Sequence, residues 1–292
     1  MVLETKSAKS ITVKNIIELE WEMFIAVNEG GERASCQEDP VTFEGMRAAQ
    51  FNAWSDDAAC SYLSDLEKAK NDERNLIEEK YIHMSKTTEP RRYVLLLNRV
   101  TLPTEEASAL AHEISDTLLE QTRVLFEDYP YVAGQGRPLS SSLDYAGTSV
   151  ETYQLSELLT YSDGTLSKLR EHVMALKSGG KSLAMLILEN TVRFYGYASL
   201  DSAEAAARAY AEKQGIEISF GCASCDCSGD CDCDGDENQH GVLLNNSDGN
   251  RYVTLFENSD ENGDGNTTTV TDRSSDESIN GSSCGDCENY AV

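Results

Sequence analysis

The chain has few basic residues for its length and no long apolar run. It contains 24 Lys and Arg against 51 Asp and Glu, which gives a formal net charge of -27 over 292 residues. Nucleic acids and anionic membrane leaflets are bound mainly through Lys and Arg, so neither is an expected partner. No apolar run approaches the roughly 20 residues that span a bilayer, and polar residues follow Met1 where a signal peptide would be apolar. We therefore expect a cytoplasmic protein.

Acidic residues and cysteines are concentrated in the last quarter of the chain. Residues 221–292 contain 16 acidic and 2 basic residues, a net charge of -14, and seven of the nine cysteines. A segment so rich in Asp, Ser, Asn and Gly buries too little apolar surface to fold unaided. We expect an acidic, cysteine-rich, disordered tail at 221–292 and a disordered N-terminus at 1–12.

The region between these two ends has the periodicity of α-helices. Apolar residues from Ile16 to Val27 recur at helical spacing, and strand-like alternation is scarce throughout. The pattern predicts helices at about 13–27, 41–53, 56–71, 74–86, 103–124, 148–160, 163–177, 181–195 and 201–213. The expected fold class is all-α, with one helical domain at 13–215.

The second half of this region repeats the order of the first. Trp54-Ser55-Asp56 has a counterpart 107 residues later in Tyr161-Ser162-Asp163. With the same offset, the apolar residues Ala59, Tyr62, Leu66, Ala69 and Leu76 match Leu166, Leu169, Val173, Leu176 and Leu183. The shared phase predicts two tandem helical repeats, at about 13–100 and 104–213. The Ser residues are also explained by helix capping alone.

Several strings of the body resemble a bacterial family of unknown function, the DUF4125 family. The strings are Glu20-Trp21-Glu22-Met23-Phe24, the loop from Gly30 to Asp39, Met46-Arg47-Ala48-Ala49-Gln50-Phe51, Glu79-Lys80-Tyr81, Gly136-Arg137-Pro138, Glu151-Thr152-Tyr153 and Glu157-Leu158. The resemblance covers roughly residues 15–200 and leaves the tail outside. It implies no activity, because the family has none established.

Two arginines in corresponding loops are the first candidates for ligand binding. If the repeats pack about a pseudo-twofold axis, Arg33 and Arg137 would converge on one cleft, where planar guanidinium groups suit a carboxylate or phosphate. Alternatively, each arginine pairs with a nearby acid or with carbonyls of its own loop. The candidate set also contains Cys36, Gln37, Arg47, Gln50, Glu79, Lys80, Glu151, Tyr153 and Glu157. As an isolated cysteine, Cys36 fits a small packing residue better than a nucleophile.

The cysteines of the tail form a second candidate site. Cys225 to Cys233 has the pattern C-x-C-x3-C-x-C, and Cys222 adds a C-x2-C pair in front. Closely spaced thiolates chelate soft ions such as zinc or copper, which makes Cys222, Cys225, Cys227, Cys231 and Cys233 the candidate metal ligands. Residues 241–244 and 251–257 suggest a hairpin beside them. The alternative is a disordered segment with incidental cysteines.

These observations leave two hypotheses about function. In the first, the helical domain binds a small anionic ligand in the cleft between its repeats. In the second, it is an interaction or scaffold protein whose tail binds a soft metal. The sequence contains no pattern that identifies a reaction, so whether the protein is an enzyme stays open.

Overall fold

The computed structural model describes residues 8–28, 34–134, 136–146, 148–215, 217–222 and 240–245. For residues 145 and 146 and for 217–222 and 240–245 it describes the backbone only. Within these ranges the chain forms eleven α-helices and, after them, one pair of short strands. The all-α prediction for the domain is confirmed, and none of the described helices combines the length and hydrophobicity needed to cross a bilayer.

The first half contains four helices of 13 to 19 residues. They are α1 (Ala8–Ala26), α2 (Pro40–Ala53), α3 (Asp56–Asn71) and α4 (Leu76–Thr88). Helix α1 begins five residues before the predicted start at position 13. Its first turn is anchored to the domain, because Lys9 Nζ donates to the Trp54 carbonyl at 2.6 Å and lies 3.7 Å from Asp56.

The second half contains five helices of 9 to 24 residues. They are α6 (Glu105–Asp128), α8 (Val150–Leu158), α9 (Asp163–Ser178), α10 (Leu183–Phe194) and α11 (Leu200–Gln214). Ser55 and Ser162 cap α3 and α9 as predicted, since each side chain accepts from an N–H of the first turn at 3.2 Å.

Two further short helices were not predicted. They are α5 (Pro90–Leu96) and α7 (Pro130–Ala133), and each begins at a proline. Pro90 lies in the gap between the predicted helices at 74–86 and 103–124. Proline occupies the first helical position, where the N–H it lacks has no intrahelical partner in any case.

The two halves use corresponding helices for corresponding contacts. Helix α1 contacts α2, α3 and α4, and α6 contacts α8, α9 and α10. Between the halves, α2 packs on α10, α8 packs on α4, and α3 packs on α9. Helix α9 begins and ends 107 residues after α3, and α10 begins 107 residues after α4. The side chains at this junction therefore come from both halves.

The main hydrophobic cluster lies across this junction. It contains Phe51, Tyr62 and Leu66 from the first half and Leu166 and Leu169 from the second, each 1% exposed or less. A second cluster lies under α11, α7 and the outer ends of α6 and α10. Arg47 of α2, Lys80 of α4 and Glu157 of α8 are buried as well, so polar side chains of these helices lie inside the domain.

A strand pair follows the last helix. Strands β1 (Glu217–Cys222) and β2 (His240–Asn245) are antiparallel, with Glu217 opposite Asn245 and Cys222 opposite His240. Of the predicted tail, residues 221–222 and 240–245 take part in this backbone pairing, and the other tail residues lie outside the described ranges. The predicted strand at 241–244 is present, whereas its expected partner at 251–257 lies outside the described residues.

Candidate functional site

A network of charged and aromatic side chains lies inside the domain where the halves meet. We call it the buried network. Its members are Glu20 from α1, Arg47 and Gln50 from α2, Tyr62 from α3, Lys80 from α4, Tyr153 and Glu157 from α8, and Tyr161 just before α9. Isolated charges are not stable in an apolar interior, so each must be matched by partners in the network.

Arg47 lies between two carboxylates. Its guanidinium donates to both oxygens of Glu20 at 2.7 and 2.5 Å, and to both oxygens of Glu157 at 3.0 and 3.3 Å. A fifth hydrogen bond runs from Nη1 to Gln50 Oε1 at 2.8 Å, and the group lies 4.8 Å from the Phe51 ring centre. Arg47 thereby joins one acid of the first half to one acid of the second.

Glu157 accepts five hydrogen bonds, as many as Arg47 donates. Besides Arg47, its carboxylate accepts from Lys80 Nζ at 3.2 Å, Gln50 Nε2 at 3.0 Å and Tyr161 Oη at 2.7 Å. Gln50 and Glu157 are 107 residues apart in the sequence. This separation equals the offset that the sequence predicts between the repeats.

Lys80 and Arg137 both lie against the ring of Tyr153. Lys80 Nζ donates to Tyr153 Oη at 2.6 Å and lies 4.0 Å from the ring centre. The Arg137 guanidinium lies 4.4 Å from the same centre and donates to the Thr148 carbonyl at 3.0 Å. Arg137 thus supports the network through Tyr153 and ties its own loop to the start of α8.

The electrostatics keep both ends of the network ionised. Burial opposes ionisation of Glu157, but the charges of Arg47 and Lys80 outweigh it, so the pKa of Glu157 lies well below its usual value. The pKa of Arg47 is raised, because Glu157 and Glu20 outweigh the burial that acts against its charge. Burial raises the pKa values of Tyr62 and Tyr161 well above the ordinary value, so both hydroxyls stay protonated and donate to the carboxylates.

A cavity of about 90 Å³ borders the buried network. Its polar lining is Gln50, Thr122, Tyr153, Gln154, Glu157 and Tyr161, and its apolar lining is Trp54, Leu118, Val150, Leu158, Leu169, Leu183, Ala184 and Ile187. Gln50 and Trp54 come from α2 and its end, and all other lining residues come from the second half. The volume is several times the roughly 15 Å³ that one water needs, so the cavity has room for an organic group.

Comparison with known proteins identifies the family. The sequence model of the family described as "Protein of unknown function (DUF4125)" matches residues 10–205. The chain belongs to the DUF4125 family. No curated protein and no solved structure matches the chain significantly. The match begins within α1, ends within α11, and contains every member of the buried network.

Half of the predicted ligand-binding residues lie at this site of the DUF4125 domain. Arg47, Gln50, Lys80, Tyr153 and Glu157 belong to the buried network, and Arg137 stacks on Tyr153. The structure therefore brings six of the eleven predicted ligand-binding residues together at the junction of the halves.

The other predicted residues stabilise local structure. Gln37 Nε2 donates to the Phe24 and Val27 carbonyls at 2.7 and 3.1 Å, which closes the end of α1. Glu79 pairs with Arg74 at 2.7 Å on another side of α4. The hydrogen-bond partners of both residues lie outside the network. Glu79 is next to Lys80 on α4 and faces a different direction, because adjacent positions on a helix do not share a face.

Two more predicted residues have similar roles, and one lies outside the described ranges. Glu151 accepts from the Ser141 N–H at 2.7 Å and so holds the loop before α8. Cys36 is half-buried, packs on the main hydrophobic cluster and is disulfide-bonded rather than isolated. Arg33 lies outside the described residues.

Three members of the DUF4125 network were not predicted, namely Glu20, Tyr62 and Tyr161. Glu20 is fully buried and lies on the apolar stripe of α1, four residues after Ile16 and four before Phe24. The signal in the sequence was the position of Glu20 on the apolar face of the helix, because a buried carboxylate needs a buried cation as its partner. Tyr62 was interpreted as an apolar position from its spacing, and Tyr161 as the aromatic residue before a capping serine. Neither pattern shows that a hydroxyl has a partner.

The predicted metal ligands stay a prediction. Among the residues that the structure describes, no group of three or more His, Cys, Asp or Glu is arranged to hold a metal ion. Cys225, Cys227, Cys231 and Cys233 lie outside the described residues, and for Cys222 only the backbone of β1 is described.

Proposed function

We propose that the DUF4125 domain binds a small organic molecule in the cavity beside the buried network. The observation that carries the proposal is that four network side chains, Gln50, Tyr153, Glu157 and Tyr161, form one wall of a cavity whose other walls are mainly apolar. Ligand sites in proteins combine a mainly apolar concave surface with a few fixed polar groups. The cavity has both parts.

The rigidity of the polar wall supports this proposal. Glu157 is bonded to Arg47, Lys80, Gln50 and Tyr161, so its carboxylate and the side chains of Gln50 and Tyr161 are held in place at the cavity wall. Fixed polar groups lose little conformational entropy when a ligand binds. Buried ion pairs are also costly compared with apolar packing, which favours a role for the network beyond stability.

The proposal includes the two tandem repeats predicted from the sequence. Three observations support them. Helices α3 and α9 are offset by 107 residues, α2 packs on α10 while α8 packs on α4, and two hydrogen bonds join residues that are 107 apart. These bonds join Gln50 with Glu157 at 3.0 Å and Lys168 with Ser61 at 3.4 Å. A ligand site at the junction of duplicated units is a common position for a cleft.

The test is to fill the cavity and measure ligand-induced stabilisation of the full chain. Ala184 lines the cavity and is 3% exposed. Ala184→Ile adds three carbon atoms there, and Ala175→Ile makes the same change at an exposed position of α9. Thermal unfolding is measured for wild type and both variants against a library of small metabolites.

We expect at least one compound to raise the Tm of wild type and of Ala175→Ile by about 5 °C or more, corresponding to roughly 2.7 kcal/mol at a hundredfold excess over Kd. The same compound should not raise the Tm of Ala184→Ile. A library without stabilising compounds, or equal stabilisation of both variants, contradicts the proposal.

A further inference from the structure

The cavity lies where the second half has smaller side chains than the first. With the 107-residue offset, the lining residues Val150, Leu158, Leu169 and Ala184 correspond to Phe43, Phe51, Tyr62 and Ile77. In the first half, Phe51 and Tyr62 are at most 1% exposed, and their ring centres are 5.4 Å apart. The first half thus fills with rings a volume that the second half leaves open.

The remaining walls also suit a ring. Trp54 and Tyr161 line the cavity with ring centres 5.8 Å apart in an edge-to-face arrangement, and Tyr153 lines it from α8. Aromatic pairs in such geometries contribute more than their buried area alone. At about 90 Å³ the cavity is smaller than the roughly 150 Å³ apolar cavity known to bind benzene. The cavity is partly open to solvent, so it has no room for two rings and holds a single ring with part of that ring in the opening.

The charges at the cavity favour a neutral ligand. Among the lining residues that the structure describes, Glu157 is the only charged one, and its oxygens already accept five hydrogen bonds from Arg47, Lys80, Gln50 and Tyr161. The charges of Glu20 and Glu157 are already balanced by Arg47 and Lys80, so a charged group that left water for this cavity would lose hydration without gaining an unpaired counter-charge. A neutral hydroxyl or amide would instead exchange hydrogen bonds with the polar wall.

We infer that the ligand is a small neutral molecule with one aromatic ring and one hydrogen-bonding group, of the size and chemistry of a phenol. This inference rests on the proposed function and names the ligand class for the same site. It replaces the anionic ligand expected from the sequence, since that expectation depended on Arg33 and Arg137 converging. Arg137 lies behind Tyr153 and donates to a backbone carbonyl.

The test compares three probes of similar size and different charge at pH 7.5. They are phenol, which is neutral, benzoate, which is anionic, and benzylamine, which is cationic. Binding to the full chain is measured by ligand-observed NMR titration, with Ala184→Ile as the filled-cavity variant and Ala175→Ile as its matched control.

We expect phenol to bind wild type and Ala175→Ile at least tenfold more tightly than either charged probe, and to bind Ala184→Ile at least tenfold more weakly. If benzoate or benzylamine binds as tightly as phenol or more tightly, and Ala184→Ile weakens that binding, the inference of a neutral ligand is overturned while the proposed function stands. If phenol fails to distinguish Ala184→Ile from Ala175→Ile, the inference is overturned as well. The metabolite library then decides separately on the proposed function.

Discussion

Arg47 is a buried cation that pairs with two buried carboxylates. It is 7% exposed, and the two carboxylates that it joins, those of Glu20 and Glu157, are 0% and 6% exposed. With Lys80, the four formal charges sum to zero. Removing one partner from such a set leaves a buried charge without compensation.

Arg47→Met is therefore expected to lower the free energy of unfolding by about 3–5 kcal/mol. Methionine keeps most of the length of the side chain and removes the charge that both carboxylates need. Urea unfolding of the full chain measures the change. Arg193→Ala is the control, because Arg193 pairs with Glu189 on the exposed surface of α10 and should cost about 0.5 kcal/mol. Equal effects of the two substitutions would contradict the ion-pair assignment.

Glu157 predicts a pH dependence of stability at acid pH. Its pKa is lowered in the folded state, so its contribution is fully present above the unfolded value of about 4.3 and is lost as pH falls toward the folded value. Glu157→Gln has no such contribution. The difference in unfolding free energy between wild type and Glu157→Gln should be largest at pH 6–7 and should shrink between pH 4.3 and pH 3. Urea unfolding at each pH measures it, and a difference that stays constant over this range would contradict the lowered pKa.

Among the elements, α4 contains a second pH-sensitive group. His83 is 5% exposed, and its Nε2 atom has no hydrogen-bond partner among the described residues. Burial lowers its pKa. The negative charge of Glu79 acts against this shift, and the positive charge of Lys86 adds to it. Tyr93 of α5 lies near its ring, at 6.5 Å between centres. The histidine is thus held neutral between α4 and α5.

A lowered histidine pKa destabilises the fold at mildly acid pH, because the unfolded chain binds a proton near pH 6.5 that the folded chain does not. Wild type should therefore lose stability as pH falls from 7.5 to 5.5. His83→Leu should lose less over the same interval, since leucine does not titrate. Thermal unfolding at both pH values measures this, and identical losses in the two proteins would exclude His83 as the source.

The positions of the long helices were largely predictable, because apolar spacing and capping are local properties of the sequence. The predicted bounds of α2 and α3 differ from the structure by at most one residue. Prediction failed where tertiary contacts decide, as at the start of α1, where Lys9 reaches Trp54. The partner of β2 was also missed, because strand pairing depends on residues distant in sequence.

The candidate site was predictable only in part, and for a different reason. The family strings drew attention to Arg47, Gln50, Lys80 and Glu157, but their spacing in sequence gave no indication that the four side chains meet. Glu20 was missed although it interrupts an apolar stripe. A cleft between the halves was predicted, but its mainly apolar lining was not.

At the scale of the whole molecule, the DUF4125 domain and the cysteine-rich tail make separate predictions. Zinc added to the full chain should be retained through Cys222, Cys225, Cys227, Cys231 and Cys233, because thiolates at this spacing chelate soft ions. Native mass spectrometry of wild type and of a variant with serine at these five positions measures retention. Zinc retained equally by both proteins, or by neither, would contradict the predicted metal site.

The proposed function and the inferred ligand class both depend on the cavity between α2 and the second half. The most direct measurement is an NMR experiment on the full chain, with assigned leucine methyl groups and bound phenol. We expect nuclear Overhauser effects from the phenol ring to the methyl groups of Leu158, Leu169 and Leu183, which line the cavity. Effects confined to exposed leucines such as Leu95, with none to these three, would contradict it.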